Sequence, residues 1–443
     1  MATEPTWPDD LAPEAYHGVI GRIVNAVALE TEADVAGVHL AMIVAAGNVV
    51  GRGPYFPIGA DRHNTVIYAT LVGKTSGGKG QATGLALEIV SAADSEWAKL
   101  RQVEGLSTGE GLIFYVRDAR EEQRVASEEE AHLADENGML TEMVDAGVAD
   151  KRALVVESEF AQPLTAASRA GNTLSAVIRS MYDKGNAGSL TKASPIRTTG
   201  AHVSMIANIT DEELKKKLSA TEMANGLGNR FAWCCVKRSR SLPLGGNLGD
   251  DVLDPLKKDL TDAVREASRI GEMGMSRTAQ GIWSTAYNEE LTRDREGLFG
   301  AICGRAHSIS LRMAVLFAAL DGSHVIEAPH VEAALATWRR CEQSAAYLFG
   351  GSTGDHLTDR TLAIITEAGT KGIKRSEIRE KLGSHAFTAE RITDALETLR
   401  DQGSVQVTVE RDGGRGRNPE LWTLIPVEYP PIPPIDSADG ATA

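Results

Sequence analysis

The chain has 443 residues, 42% of them apolar and 24% charged, which allows two or three domains of ordinary globular composition. A net charge of −15 excludes a protein that coats nucleic acid with its whole surface, though not one that holds it in a local basic channel. No apolar run approaches the ~20 residues of a membrane span, and the polar, acidic start MATEPTWPDD is not a secretory signal, so a cytoplasmic protein without membrane association is expected.

In chain order, apolar residues at helical spacing (Tyr16, Val19, Ile20, Ile23, Val24, Val27, then Val35, Val38, Met42, Ile43, Ala46) predict two helices forming a collar within residues 1–60. Pro54 and Pro57 break that pattern, and the β-branched run at 66–72 predicts a strand buried on both faces. A helix over 81–98 follows, then one opened at Ser107, where Glu110 three residues on fits a capping box. Residues 120–145 are strongly acidic and read as a solvated insertion. Strands at 153–156, 202–207 and 230–236 alternate with helices at 172–182 and after Thr210, so residues 61–245 predict a three-layer α/β core. Residues 246–350 are almost wholly helical, 350–355 form a linker, 356–425 a compact unit, and the Pro-rich 426–443 a disordered tail. Cys234, Cys235, Cys303 and Cys341 lack metal-site spacing and read as buried thiols.

The chemistry concentrates after the strand at 66–72. Gly73, Ser76, Gly77, Gly78, Lys79, Gly80 and Gln81 lie in a glycine-rich turn leading into a helix, the context in which backbone amides and a helix N-terminus cradle a phosphate chain. Lys79 is then the residue for the terminal phosphates of ATP. The usual hydroxyl for Mg²⁺ after that lysine is replaced by Gly80, which leaves Thr83 or Ser76 to supply it. An acidic residue should end another buried strand. Glu157 fits as the metal-side carboxylate and Glu159 as the base that activates water, or the two exchange roles. Asn208, ending the strand at 202–207, is positioned to orient that water.

This order of parts, with Asn229-Arg230-Phe231 about twenty residues after Asn208, resembles the AAA+ module, remotely that of minichromosome-maintenance-type helicases. A closer resemblance is to P-loop ATPases of phages, plasmids and integrative elements. It is carried by GLSTGEGLI (105–113), AGNTLSAVI (170–178), TGAHVSMIANIT (199–210) and ATEMANGLGNRF (220–231). The resemblance implies that Asn208 is the sensor, and that Arg230 is an arginine finger entering the ATP site of a neighbouring subunit. It implies that Arg312, or else Arg305, is a lid arginine touching the γ-phosphate in its own subunit, and that the chain forms a homo-oligomer, with a hexamer expected. It further implies a β-hairpin within 183–200 that carries Lys192, Lys184 and Arg197 toward single-stranded DNA in a pore.

Residues 356–425 contain three helices and a Gly/Arg-tipped hairpin, the pattern of a winged helix. Eleven basic residues against twelve acidic ones over 355–425 leave open whether this unit binds DNA or protein, with Arg411, Arg415 and Arg417 as its candidate duplex contacts. The expected function is an ATP-hydrolysing motor on DNA, a helicase or replication-initiation ATPase of a mobile element. The alternatives are an ATP-dependent assembly switch, or a DNA-binding regulator with a degenerate phosphate loop.

Overall fold

A strand without a polar face must be covered on both sides, and the apolar run at 66–72 meets this demand inside a five-stranded parallel sheet. The computed structural model describes residues 6–190, 195–218, 226–295, 297–350, 356–383, 387–401, 404–409 and 420–425. In chain order come α1 (Gly18–Val27), α2 (Val35–Val50), a hairpin of β1 (Tyr55–Ile58) and β2 (Asp61–Asn64), and β3 (Tyr68–Val72). Next are α3 (Lys79–Ser91), α4 (Ser95–Leu100), β4 (Gln102–Val103), α5 (Gly109–Tyr115), and the antiparallel pair β5 (Arg120–Val125) and β6 (Met139–Asp145). Then follow β7 (Arg152–Glu157), α6 (Ala161–Ala167), α7 (Leu174–Asp183), the hairpin β8 (Ala187–Ser189) and β9 (Ile196–Thr198), β10 (His202–Ile209), α8 (Asp211–Lys217) and β11 (Phe231–Cys235).

The sheet order is β11-β3-β10-β7-β4, with every neighbouring pair parallel. The register aligns the strand ends: Val72 lies opposite Ile209 and Cys235, and Ala207 opposite Glu157. All five strands therefore send their following segments out at one carboxyl edge. The hairpins β5–β6 and β8–β9 precede strands and so sit at the opposite, amino edge, where the Asp118 amide donates to the Arg197 carbonyl at 2.9 Å.

Helix α2 is more than part of a collar. From Val35 to Val50 it has no charged residue, and a helix apolar on every side is buried. It packs on α3 and on β3, β7 and β10, and Asn48 ties it down: its amide donates to the carbonyls of Ala153 and His202 (3.0 Å each) and accepts from the Trp97 indole at 2.8 Å. The helix expected over 81–98 is two, broken before Asp94, which caps α4 by accepting from the Trp97 amide. Helix α5 is capped by Thr108, which accepts from Gly111, and not by a Ser107–Glu110 box; Glu110 instead accepts from Thr173 at 3.0 Å.

Beyond the sheet lie α9 (Asp250–Ala267), α10 (Arg277–Ala286), α11 (Gly297–Cys303), α12 (Ala306–Leu320) and α13 (Ala328–Phe349), with a short parallel pair, β12 (Gly274–Met275) and β13 (Val325–Ile326). One continuous core joins these helices to the sheet and to α1 and α2, within a unit spanning Trp7–Gly350. The four cysteines lie free and buried in it. The second unit has its own core of Leu357, Ile365, Ile378, Leu396, Leu399 and Trp422 among others. It contains α14 (His356–Ala368), β14 (Ile373–Lys374), α15 (Arg375–Leu382), α16 (Ala389–Asp401), β15 (Val405–Val409) and β16 (Glu420–Leu424), the strands forming an antiparallel sheet in the order β14-β16-β15. Among the described residues, no helix is long and apolar enough to cross a membrane.

Candidate functional site

The glycine-rich loop leaves β3 at the carboxyl edge and enters α3. Gly73 is needed because the chain after β11 passes so close that a Cβ there would stand 2.4 Å from the Val236 carbonyl oxygen. Gly78 caps α3 with φ +85°, a conformation that favours glycine. Ser76 holds φ +61° without being glycine, a strain of roughly 1–2 kcal/mol. The first amides of α3 have no acceptor inside the helix. Lys79 Nζ donates to the loop carbonyls of Gly73 and Lys74 at 2.7 and 2.8 Å. Burial lowers its pKa, and Glu213 on α8 pulls the other way.

Three sequence-predicted residues gather at the ends of the neighbouring strands. Asn208 comes from β10, between the loop strand and the acidic strand, and its side-chain amide lies 3.4 Å from the buried Thr83 hydroxyl on α3. Glu157 ends β7, 4% exposed, with Oε1 accepting from the amides of Gly105 (2.9 Å) and Leu106 (2.7 Å). Burial raises its pKa against the pull of those amides. Glu159 stands two residues beyond, exposed, and accepts from the Gln162 amide at 2.5 Å. Gly80 lies in the first turn of α3, where a Cβ would meet nothing within 4 Å. The arrangement offers a nest of amides with a lysine, a buried polar pair, and two carboxylates of different exposure. It suits a polyphosphate with a divalent cation.

The arginines lie elsewhere. Arg312 on α12 is buried and donates to the carbonyls of Val66 (2.8 Å) and Tyr182 (3.1 Å), its guanidinium over the Tyr182 ring. Val66 precedes β3, so about seven residues of extended chain, roughly 20 Å, separate this arginine from its own glycine loop. The expectation that Arg312 touches the γ-phosphate in its own subunit is thereby corrected: its guanidinium is anchored at the amino edge. Arg305 lies there too, paired with Asp183 at 2.9 Å. Arg230, in a 3-10 turn before β11, is 6% exposed, pairs with Asp183 at 2.5 Å and donates to the Gly226 carbonyl. Lys184 caps α7 as an exposed residue, and Arg197 on β9 keeps 78% of its side chain exposed beside Asp118. Lys192, Arg411, Arg415 and Arg417 lie outside the described residues.

Sequence reasoning missed two participants. Glu213, in the first turn of α8, shares a capping box with Thr210 and lies close enough to Lys79 for its charge to act on it. Asp183 ends α7, where a carboxylate opposes the helix dipole; that misplacement was the available signal of a cationic partner. A third cluster, His17, Asp321 and His330, has the composition of a metal site. However, His330 Nδ1 accepts from the Glu327 amide at 2.9 Å, so Nε2 carries the proton and donates to Asp321. Both histidines are hydrogen-bonded to Asp321, which ties the start of α1 and the first turn of α13 to the end of α12. The chain matches no protein-family model, and no curated protein matches it.

Proposed function

We propose that this chain is an ATP-hydrolysing, Mg²⁺-dependent ATPase of AAA+ type that works as a homo-oligomer, carries a winged helix in its second unit and acts as a motor on DNA. The observation that carries this reading is the convergence, at one edge of the sheet, of the Lys79 loop with Asn208 and Glu157 from adjacent strands. In it the loop amides and Lys79 hold the β- and γ-phosphates. Glu157 faces the metal, Glu159 activates water, and Asn208 orients that water. Arg230 is at the far edge from its own loop, which suits a finger serving a neighbouring copy. The motor half of the reading leans on the β8–β9 hairpin and its exposed Arg197.

One observation favours the switch instead. The β5–β6 hairpin follows Asp118, the residue bonded to Arg197 of β9, and belongs to a stretch with nine carboxylates against two arginines over residues 120–145, a charge that repels a phosphate backbone. The test is ATP turnover by wild type and Lys79→Ala, with and without single-stranded DNA. Turnover lost in Lys79→Ala and stimulated by DNA supports the motor. Turnover indifferent to DNA leaves the switch, and nucleotide binding without turnover sinks both.

A further inference from the structure

Lys79 shares its loop with a carboxylate that the site described above does not use. The Gly73 amide donates to the Ile209 carbonyl at 3.3 Å, so the end of β10 lies against the residue whose carbonyl holds Lys79 Nζ. Four residues past Ile209, Glu213 is folded back onto the start of α8: the amide and hydroxyl of Thr210 both donate to its Oε2, at 3.3 and 2.8 Å. Its Oε1 has no hydrogen-bond partner among the described residues, and the side chain is exposed. Its charge reaches Lys79. Burial lowers the Lys79 pKa and Glu213 opposes that, while the Thr210 bonds lower the Glu213 pKa and Lys79 adds to them.

The helix cap does not account for this charge. A capping box asks only for an acceptor at that position, and glutamine serves as well as glutamate. Asp211 and Glu212 already supply the negative charge that suits the first turn of α8. Glu213 therefore sets an ionised carboxylate beside a loop suited to a polyanion. That loop also lacks a hydroxyl after Lys79 to grip a metal, because Gly80 stands there and the Thr83 hydroxyl is engaged by Asn208. Discrimination between a bare phosphate chain and its metal complex is left to charge.

We propose that Glu213 makes the loop selective for a metal-complexed nucleoside polyphosphate: its carboxylate repels a bare phosphate chain at Lys79 and tolerates one on which a divalent cation has cancelled two charges. This rests on the ATPase reading above and adds the residue that enforces the metal requirement at the binding step. Glu213 is a positioning residue in this role and touches no reacting atom. A unit charge a few ångströms away through water changes affinity roughly three-fold, so two charges change it roughly ten-fold.

The test is titration calorimetry of the full chain with ADP, which the proposed reaction does not consume, in excess Mg²⁺ and in EDTA. Glu213→Gln keeps the cap and removes the charge. Its preference for Mg²⁺·ADP over bare ADP should fall roughly ten-fold below that of wild type, chiefly through tighter binding of bare ADP. Glu213→Asp keeps the charge and should restore most of the preference. The gap between wild type and Glu213→Gln should also narrow as salt rises from about 0.05 to 0.5 M, because exposed charges are screened over that range, and a change of loop shape would persist. The same preference in wild type and Glu213→Gln overturns the proposal and leaves the ATPase reading standing. So does a loss that Glu213→Asp shares and salt does not touch. Wild type that binds no nucleotide in either condition fails the ATPase reading, and this inference with it.

Discussion

At the scale of single residues, Glu157 and Gly80 each give a measurable consequence. Burial holds the Glu157 carboxyl above its ordinary pKa, outweighing the two amides that donate to it. A raised folded pKa means that the group's contribution to stability is full below the unfolded value and is lost as pH rises through the folded one. Glutamine at this position keeps the acceptor oxygen for Gly105 and Leu106 and does not ionise. Glu157→Gln should therefore melt higher than wild type at pH 8, with the difference shrinking toward pH 4, as scanning calorimetry across that range would record. A difference independent of pH would remove the ionised carboxylate from the argument. At Gly80 the space for a side chain is empty, while the Thr83 hydroxyl is engaged by Asn208. Gly80→Ser should relieve a helical glycine and supply the absent hydroxyl. Titration calorimetry should find Mg²⁺·nucleotide bound about five-fold tighter, and the gain should vanish when EDTA removes the metal.

At the scale of elements, the buried helix α2 depends on one polar side chain. Asn48 is fully buried and hydrogen-bonded through both amide ends, to β7, to the start of β10 and to Trp97 of α4. Asn48→Ala would orphan the indole N–H and two carbonyls and cost roughly 2–4 kcal/mol, read as a lower urea midpoint with an unchanged slope. Four strands of the sheet, β3, β7, β10 and β11, were legible as short apolar runs, and two of these runs reach the carboxyl edge in a polar residue, Glu157 and Asn208; β4, two residues long and half polar, gave no such run. Helix α2 was legible as a helix, while its burial was signalled only by the lack of any charge over sixteen residues. The cluster at the amino edge was not legible, because Asp183, Arg230 and Arg305 are separated by dozens of residues and meet only once the sheet has closed. Arg312 went astray for a related reason. Its apolar neighbours Ile309, Met313 and Leu316 reported a helix but not which end of the sheet that helix would cover.

At the scale of the whole molecule, the carboxyl edge of the sheet carries the Lys79 loop with Glu157 and Asn208 and the amino edge carries Arg230, Arg305 and Arg312, so no chain can bring Arg230 to its own Lys79 loop without unfolding β3. An active site that needs both must be completed by a second copy. Arg230→Ala should bind ATP with near-normal affinity and turn it over at least a hundred-fold more slowly, the loss usual when a trans arginine is removed. Lys79→Ala should bind ATP poorly and also be inactive. Mixed in equal amounts, the two variants create interfaces that pair an intact Lys79 loop with an intact Arg230, and part of the activity should return. Recovery that tracks the mixing ratio and disappears on dilution would tie turnover to assembly. No recovery at any ratio, from variants that each keep the wild-type melting temperature, would mean that each chain catalyses alone and that Arg230 stays a structural partner of Asp183.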